Sequence, residues 1–194
     1  MGVTTVVDPV AMARVTYHSK TDFATAEARV RASLQKDPRW FKFQDNPSEK
    51  ATSAEEFERF IRPGIGPHGF MYFTEINHGL WMRWFDVPTA NVTDPNTGKL
   101  RHLRAIRFII GNPLLAPIVL KHDLDCGLSV PAELFLVENP DGTVHLIRFK
   151  IDCLIAGHLN ANAPLQENAR FIDEKIDQLC RHVVGDDEVP RAQS

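Results

Sequence analysis

The chain has 194 residues, 43% hydrophobic and 24% charged, with 22 basic against 25 acidic side chains and a net charge of −3. That length carries one domain with a real hydrophobic core, and the acidic balance argues against nucleic acid or an anionic membrane as partner. The three cysteines, Cys126, Cys153 and Cys180, form no CxxC pair, which argues against a disulfide framework and a structural zinc site. In the N-terminal MGVTTVVDPVAMARV, Asp8-Pro9 interrupts the apolar core that a signal peptide needs. No run nears the ~18 apolar residues of a membrane span. The expectation is a soluble, cytoplasmic protein.

Residues 1–12 read as a loose arm, and Val15 to His18 as a short strand. Thr21 or Asp22 caps a helix whose apolar stripe is Phe23, Ala26, Val30 and Leu34, ending before Asp37-Pro38. Trp40, Phe41 and Phe43 read as an aromatic extended segment. Ser53 and Glu56 make a capping box for a short helix bearing Phe57, Phe60 and Ile61. From Arg62 to Gly69, two prolines and three glycines dictate a loop, either a surface excursion or an active-site lid.

Phe70 to Ile76 and Leu80 to Val87 are β-rich and flank Asn77-His78-Gly79, which predicts a hairpin with aromatic residues on both faces. A polar loop turning at Asp94 to Gly98 follows, then a strand over His102 to Ile110. Asn112 is an N-cap and Pro113 suits the first position of a short helix through Leu114, Leu115, Ile118 and Val119. Leu128 to Val137 and Thr143 to Asp152 read as a long hairpin turning on Glu-Asn-Pro-Asp-Gly142. After a loop over Ile155 to Asn162, a helix runs from Pro164 or Leu165 to Val184, with the seam Leu165, Ala169, Ile172, Ile176, Leu179 and Val183. Gly185 ends it, and residues 186–194 are a charged tail.

Four segments in this order carry a resemblance: Thr74-Glu-Ile-Asn-His78, Phe108-Ile-Ile-Gly-Asn-Pro113, Gly127-Leu-Ser-Val-Pro131 and Val137-Glu-Asn-Pro-Asp-Gly142. They resemble the domain of unknown function 302 (DUF 302) family over about 15–44 and 70–184. The resemblance implies a TATA-binding-protein-like α+β fold, β-α-β(n)-α, with a mostly antiparallel sheet, helices packed on one face, and commonly a dimer. Residues 13–185 would form that single domain, with insertions at about 45–69 and 86–100. Asn77 departs from the family's Asp. A helix follows the family's His, where Gly79 here leads into an aromatic run.

The chemistry has to come from the residues. His78 could act as a general base, the alternative being a turn histidine satisfied by backbone groups. Glu75 becomes an acid if its side of the strand is a cavity, and an ordinary surface carboxylate otherwise. Strand cations such as Arg83, Arg107, Arg148 and Lys150 bind anionic oxygens if they converge. The alternative is outward solubilising residues, the expected role of Arg148. Glu133 is placed to pair with one of them. Asp152, Cys153 and His158 invite a Cys–His nucleophile reading that nothing adjacent supports. Histidine spacings of the HxH, HxxxH and HExxH kinds are absent, as are a phosphate loop, a dinucleotide fingerprint and GxSxG. No metal and no cofactor are therefore expected.

The resulting expectation is a cofactor-independent isomerase, cyclase or lyase acting on a hydrophobic aromatic, polyketide- or terpenoid-like metabolite. Glu75, His78, Arg83 and Arg107 would be catalytic, and Tyr72, Phe73, Trp81, Trp84 and Lys150 would bind substrate. The alternative is a non-catalytic small-molecule-binding or homodimerisation module that buries Trp81 and Trp84.

Overall fold

The computed structural model describes residues 2–7, 9–37, 39–156 and 162–186. In chain order the strands are β1 (Arg14–Asp22), β2 (Met71–Asn77), β3 (Asn91–Thr93), β4 (Leu100–His102), β5 (Ala105–Gly111), β6 (Ala132–Glu138) and β7 (Thr143–Phe149). The helices are α1 (Phe23–Leu34), α2 (Arg39–Asp45), α3 (Ala54–Ile61), α4 (Gly79–Met82), α5 (Pro117–Leu120), α6 (Ile151–Ala156) and α7 (Ala163–Val184). Five strands form one antiparallel sheet in the order β1-β7-β6-β5-β2, and β3 pairs with β4 apart from it. The chain is an α+β domain, as expected.

Strand alternation decides the layering, because successive side chains point to opposite faces. Ile106, Phe108 and Ile110 on β5, Leu134 and Leu136 on β6, and Val144 and Leu146 on β7 are buried together. Against them pack Phe23, Ala26 and Val30 of α1 and the seam Leu165, Ala169, Ile172, Ile176, Leu179 and Val183 of α7. Asp22 caps α1 by accepting from Thr25 N at 3.0 Å, and Gly185 ends α7 with φ +81°. The other face carries Arg14, His18, Ile76 and Phe149, all exposed.

Several expectations change. Leu80 to Val87 is not a strand: β2 pairs with β5, Glu75 opposite Phe108 and Ile76 opposite Arg107, and α4 follows His78 directly. Aromatic β-propensity does not decide this segment, because strand preference depends on context and the chain turns into a helix where β2 ends. Gly79 lies against that strand; a Cβ on it would sit 3.5 Å from Ala105 N. A helix after the His is also what the family pattern has, so the departure inferred at Gly79 disappears.

A register shift between Tyr72 and Thr74 marks a bulge at Phe73. Strict alternation puts Glu75 on the side of Met71 and Phe73; the bulge instead turns Tyr72 and Glu75 together to the helix-covered face, opposite Ile110 and Phe108. Trp40 and Phe43 lie in α2, three residues apart, and pack on Phe73 and on Phe57 respectively. The long hairpin holds over Ala132–Glu138 and Thr143–Phe149, with Gly142 at φ +85° in its turn. Its predicted ends are turns of helix instead: Leu124–Leu128 is a 3-10 turn and Ile151–Ala156 is α6.

Arg148 corrects the largest error. It is 4% exposed and faces α7, where Asp173 accepts from its Nη1 at 2.6 Å and its Nη2 at 3.2 Å. Tyr17 accepts from Arg148 Nε at 2.9 Å and donates to Asp177 at 2.5 Å. Burial pushes the Tyr17 phenol well above its ordinary range, and burial likewise pushes the nearby Cys180 thiol up to about 12.

Candidate functional site

The open face of the sheet holds a groove of about 600 Å³. Its floor follows from the register: Arg107 stands opposite Phe135, and Phe135 opposite Ile147. Arg14 and Phe149, a paired position, close one end, and His78 with Met82 close the other. The groove brings the His78 imidazole, the Arg14 and Arg107 guanidiniums and the Glu133 carboxylate to an apolar floor.

His78 owes its place to the end of β2. Its N–H donates to Ala105 O at 2.9 Å, extending the ladder by one residue, and its carbonyl accepts from Trp81 N and Met82 N to start α4. The ring stands edge-on to Phe135, 5.6 Å between centroids, and to Trp81 at 5.5 Å. Arg107 forms an ion pair with Glu133 from the neighbouring strand, the partnership foreseen for Glu133. Both side chains remain about two-fifths exposed, so the guanidinium keeps donors free for a ligand oxygen.

Of the residues chosen from sequence, the structure brings His78 and Arg107 together and separates the rest. Glu75 lies on the helix-covered face, where Arg31 donates to it at 2.7 Å and 3.3 Å and Lys36 stands 3.7 Å away. Burial pushes its carboxyl upward, but the Arg31 and Lys36 charges outweigh this and hold it below the usual glutamate range. A carboxylate held ionised by a guanidinium is a poor general acid. Protonating it breaks a pair made only in the folded chain. The stabilisation is thus present above the ordinary glutamate range and is lost as acid titrates the folded carboxyl. Glu75→Gln is expected to lower stability by about 1 kcal/mol at neutral pH. Urea midpoints of the two proteins should converge in strong acid.

Tyr72 joins Glu75 on that face, its phenol raised by burial and by the Glu75 charge, with Lys36 over its ring. Arg83 lies over the Trp84 ring at 5.1 Å, on the exposed side of α4. Trp81 borders the groove through His78, while Trp84 is 74% exposed and makes no part of it. Phe73 stacks on Trp40 at 4.7 Å, away from this face. Lys150 is engaged by Asp152 at 2.9 Å, and that carboxylate holds the amine above its ordinary range. His158 of the Asp152–Cys153–His158 triplet lies outside the described residues.

Sequence reasoning passed over Arg14, Phe135, Ile147 and Phe149. The signal was there: Glu133, Phe135 and Val137 alternate with buried Leu134 and Leu136, so they had to share the other face. The loop over 62–69, a surface excursion or a lid by sequence, is anchored at Gly66. Gly66 N donates to Phe70 O at 2.8 Å, and Gly66 approaches the backbone of Ser33 on α1. Among the described residues, no group of three His, Cys, Asp or Glu is placed to hold a metal, and no helix is long and apolar enough to cross a membrane.

The family described as "Domain of unknown function DUF302" matches residues 46–183. The chain is similar to the crystal structure of an uncharacterized conserved DUF302 protein from Bacillus stearothermophilus, with a TM-score of 0.54 and 17% sequence identity. That likeness covers 89% of this chain and 99% of the other, and at such identity it shows a shared fold. No curated protein matches the sequence.

Proposed function

The chain belongs to the DUF302 family, and from that premise we propose that its open sheet face is a small-molecule site for acid–base chemistry without a redox cofactor. The substrate class is a hydrophobic aromatic, polyketide- or terpenoid-like molecule that carries a carboxylate, phenolate or enolate oxygen. One observation carries this reading: His78, Arg107 and Glu133 come from three separate segments onto one aromatic-floored groove. The apolar part of the substrate rests on Phe135, Ile147 and Phe149. Arg107 holds the anionic oxygen, and Glu133 positions Arg107. His78 takes a proton from carbon and returns it elsewhere on the same molecule, the net change of an isomerase; cyclase and lyase reactions use the same groups. Imidazole is the side chain suited to moving protons near neutral pH. Glu75, Arg83, Tyr72, Phe73, Trp84 and Lys150 have no part in this version of the site.

Phenylpyruvate, an enolisable aromatic anion, serves as the probe. The protein is expected to bind it saturably and to speed its keto–enol tautomerisation. His78→Ala should lower kcat by about 100-fold. Arg107→Met should raise KM by about tenfold with a smaller effect on kcat. Saturable binding that Arg107→Met weakens, without acceleration, would leave a binding module. Neither binding nor acceleration would remove the groove as a ligand site.

A second reading is homodimerisation through the same side of the molecule. It rests on Leu80, Trp81, Trp84 and Phe85, which are 63%, 45%, 74% and 63% exposed within six residues. A contiguous apolar patch of that kind marks an interaction surface. Sedimentation would separate the two: a tight dimer that dissociates on Trp84→Ser supports the second reading, and a monomer that binds the probe supports the first.

A further inference from the structure

We infer that the protein has a second small-molecule site, distinct from the groove, which takes an uncharged hydrophobic ligand of about ten carbon atoms. The site is a cavity of about 290 Å³ beyond the end of β5, between the sheet, α7 and the segment 112–131. Its deep wall consists of Phe70, Ile110, Ile151, Ile172 and Ile176, all buried. Its rim, partly open to solvent, is formed by Trp40, Leu120, Val130 and Pro131.

The lining dictates the chemistry of the ligand. None of the lining residues is titratable. Apart from the Trp40 indole N–H at the rim, the one polar side chain is Asn112, whose Nδ2 donates to Gly69 O at 2.8 Å and whose Oδ1 accepts from Leu114 N at 2.8 Å. A charged or strongly hydrogen-bonding ligand would lose its hydration here with nothing in exchange. An apolar cavity of about 150 Å³ suffices for benzene, so this one, roughly twice as large, suits a substituted or fused ring.

The two aromatic walls give a preference among apolar shapes. The Trp40 and Phe73 rings are stacked, 4.7 Å apart and 11° from parallel, presenting a flat surface at the mouth. Phe73 reaches that position because it lies over Gly111, where a Cβ would come within 2.6 Å of its ring. Flat faces of this kind favour an aromatic or planar ligand over a linear chain.

The cavity and the groove lie on opposite sides of the sheet and share no lining residue. A matched pair of probes therefore tells them apart: p-cymene, which is neutral, and 4-isopropylbenzoate, which is the same skeleton carrying a carboxylate. In full-length protein carrying Trp81→Phe and Trp84→Phe, both at exposed positions, Trp40 is the only tryptophan left. Adding p-cymene should shift its emission saturably, and 4-isopropylbenzoate should do so at least about tenfold more weakly. Filling the cavity by Ile176→Phe from the deep wall, or by Leu120→Phe from the rim, should weaken p-cymene binding by about tenfold or more. Arg107→Met, far from this wall, should leave it unchanged. The absence of a saturable shift in the parent protein would overturn the proposal by itself. So would p-cymene binding that survives both filling variants in folded protein, or that is lost with Arg107→Met. The last outcome would move the ligand to the groove, while failure of the groove chemistry alone would leave this cavity untouched.

Discussion

Asp173→Ala is expected to destabilise the fold by about 3–5 kcal/mol in chemical unfolding. Three donors hydrogen-bond to that carboxylate, both terminal nitrogens of Arg148 and the backbone N–H of Ile151, which donates to Asp173 Oδ1 at 2.9 Å, and Lys150 Nζ stands 3.9 Å from it. Removing it leaves the Arg148 guanidinium buried against α7 with only Tyr17 at hydrogen-bond distance and Asp177 at 3.6 Å. An uncompensated buried charge costs far more than the pair itself contributes, because the pair also carried a desolvation penalty. Asp173→Ala with Arg148→Met should therefore recover more than half of the loss, the methionine filling space without a charge. If the double variant is less stable than Asp173→Ala, the destabilisation does not arise from an orphaned cation.

Gly66→Ala should cost about 3 kcal/mol, through collision and not through backbone conformation. A Cβ there would lie 1.8 Å from Ser33 O and 2.8 Å from Ser33 C, both backbone atoms of α1 that no rotamer change can move aside. Either the loop or the end of α1 must shift, and that end is fixed by buried Leu34 and by Gln35, whose N–H donates to Arg31 O in a left-handed cap. Gly127 offers the contrast. An added Cβ would meet only Leu120 Cδ2 at 3.7 Å, an ordinary contact, so Gly127→Ala should stay within about 0.5 kcal/mol of the parent. Equal urea midpoints for Gly66→Ala and Gly127→Ala would mean that the 62–69 loop moves freely, as a lid would.

The elements legible in the sequence were those whose signal is local. Asp22 caps α1, Gly142 turns the hairpin and Gly185 ends α7, each by a short-range contact that its own neighbourhood predicts, whereas Asn112 starts only a turn at Leu114 and the helix expected from Pro113 begins at Pro117. The elements misread were those decided by distant partners. Leu80 to Val87 has strand-like composition, but the chain leaves the sheet at His78 and turns at once into α4, and β2 pairs with the distant β5 instead. Trp40 and Phe43 become helical because Phe73 and Phe57 meet them at helical spacing. Arg148 shares its parity with Leu146 and Val144, so burial could have been inferred from β7 alone. Its partner could not, since Asp173 interrupts an otherwise apolar seam on α7. Of the residues expected at a site, His78 and Arg107 line the groove on the open face. Glu75 was misplaced by one bulge, because a single extra residue exchanges the faces of a strand.

The strand order has a consequence for how the chain comes together as it is made. β5, β6 and β7 are consecutive antiparallel neighbours, and β2 joins them at one edge, so this part assembles from what has already emerged. β1, made first, pairs with β7, from Arg14 opposite Phe149 to Ser19 opposite Val144, and its Ser19 and Thr21 hydroxyls donate to Val184 O at the end of α7. The first strand thus has no partner until nearly the whole domain has been synthesised. Closing so long a loop is slow, and an unpaired strand invites wrong pairing in the meantime. During synthesis the N-terminal segment waits, and the last helix to appear is the one that locks the first strand in place.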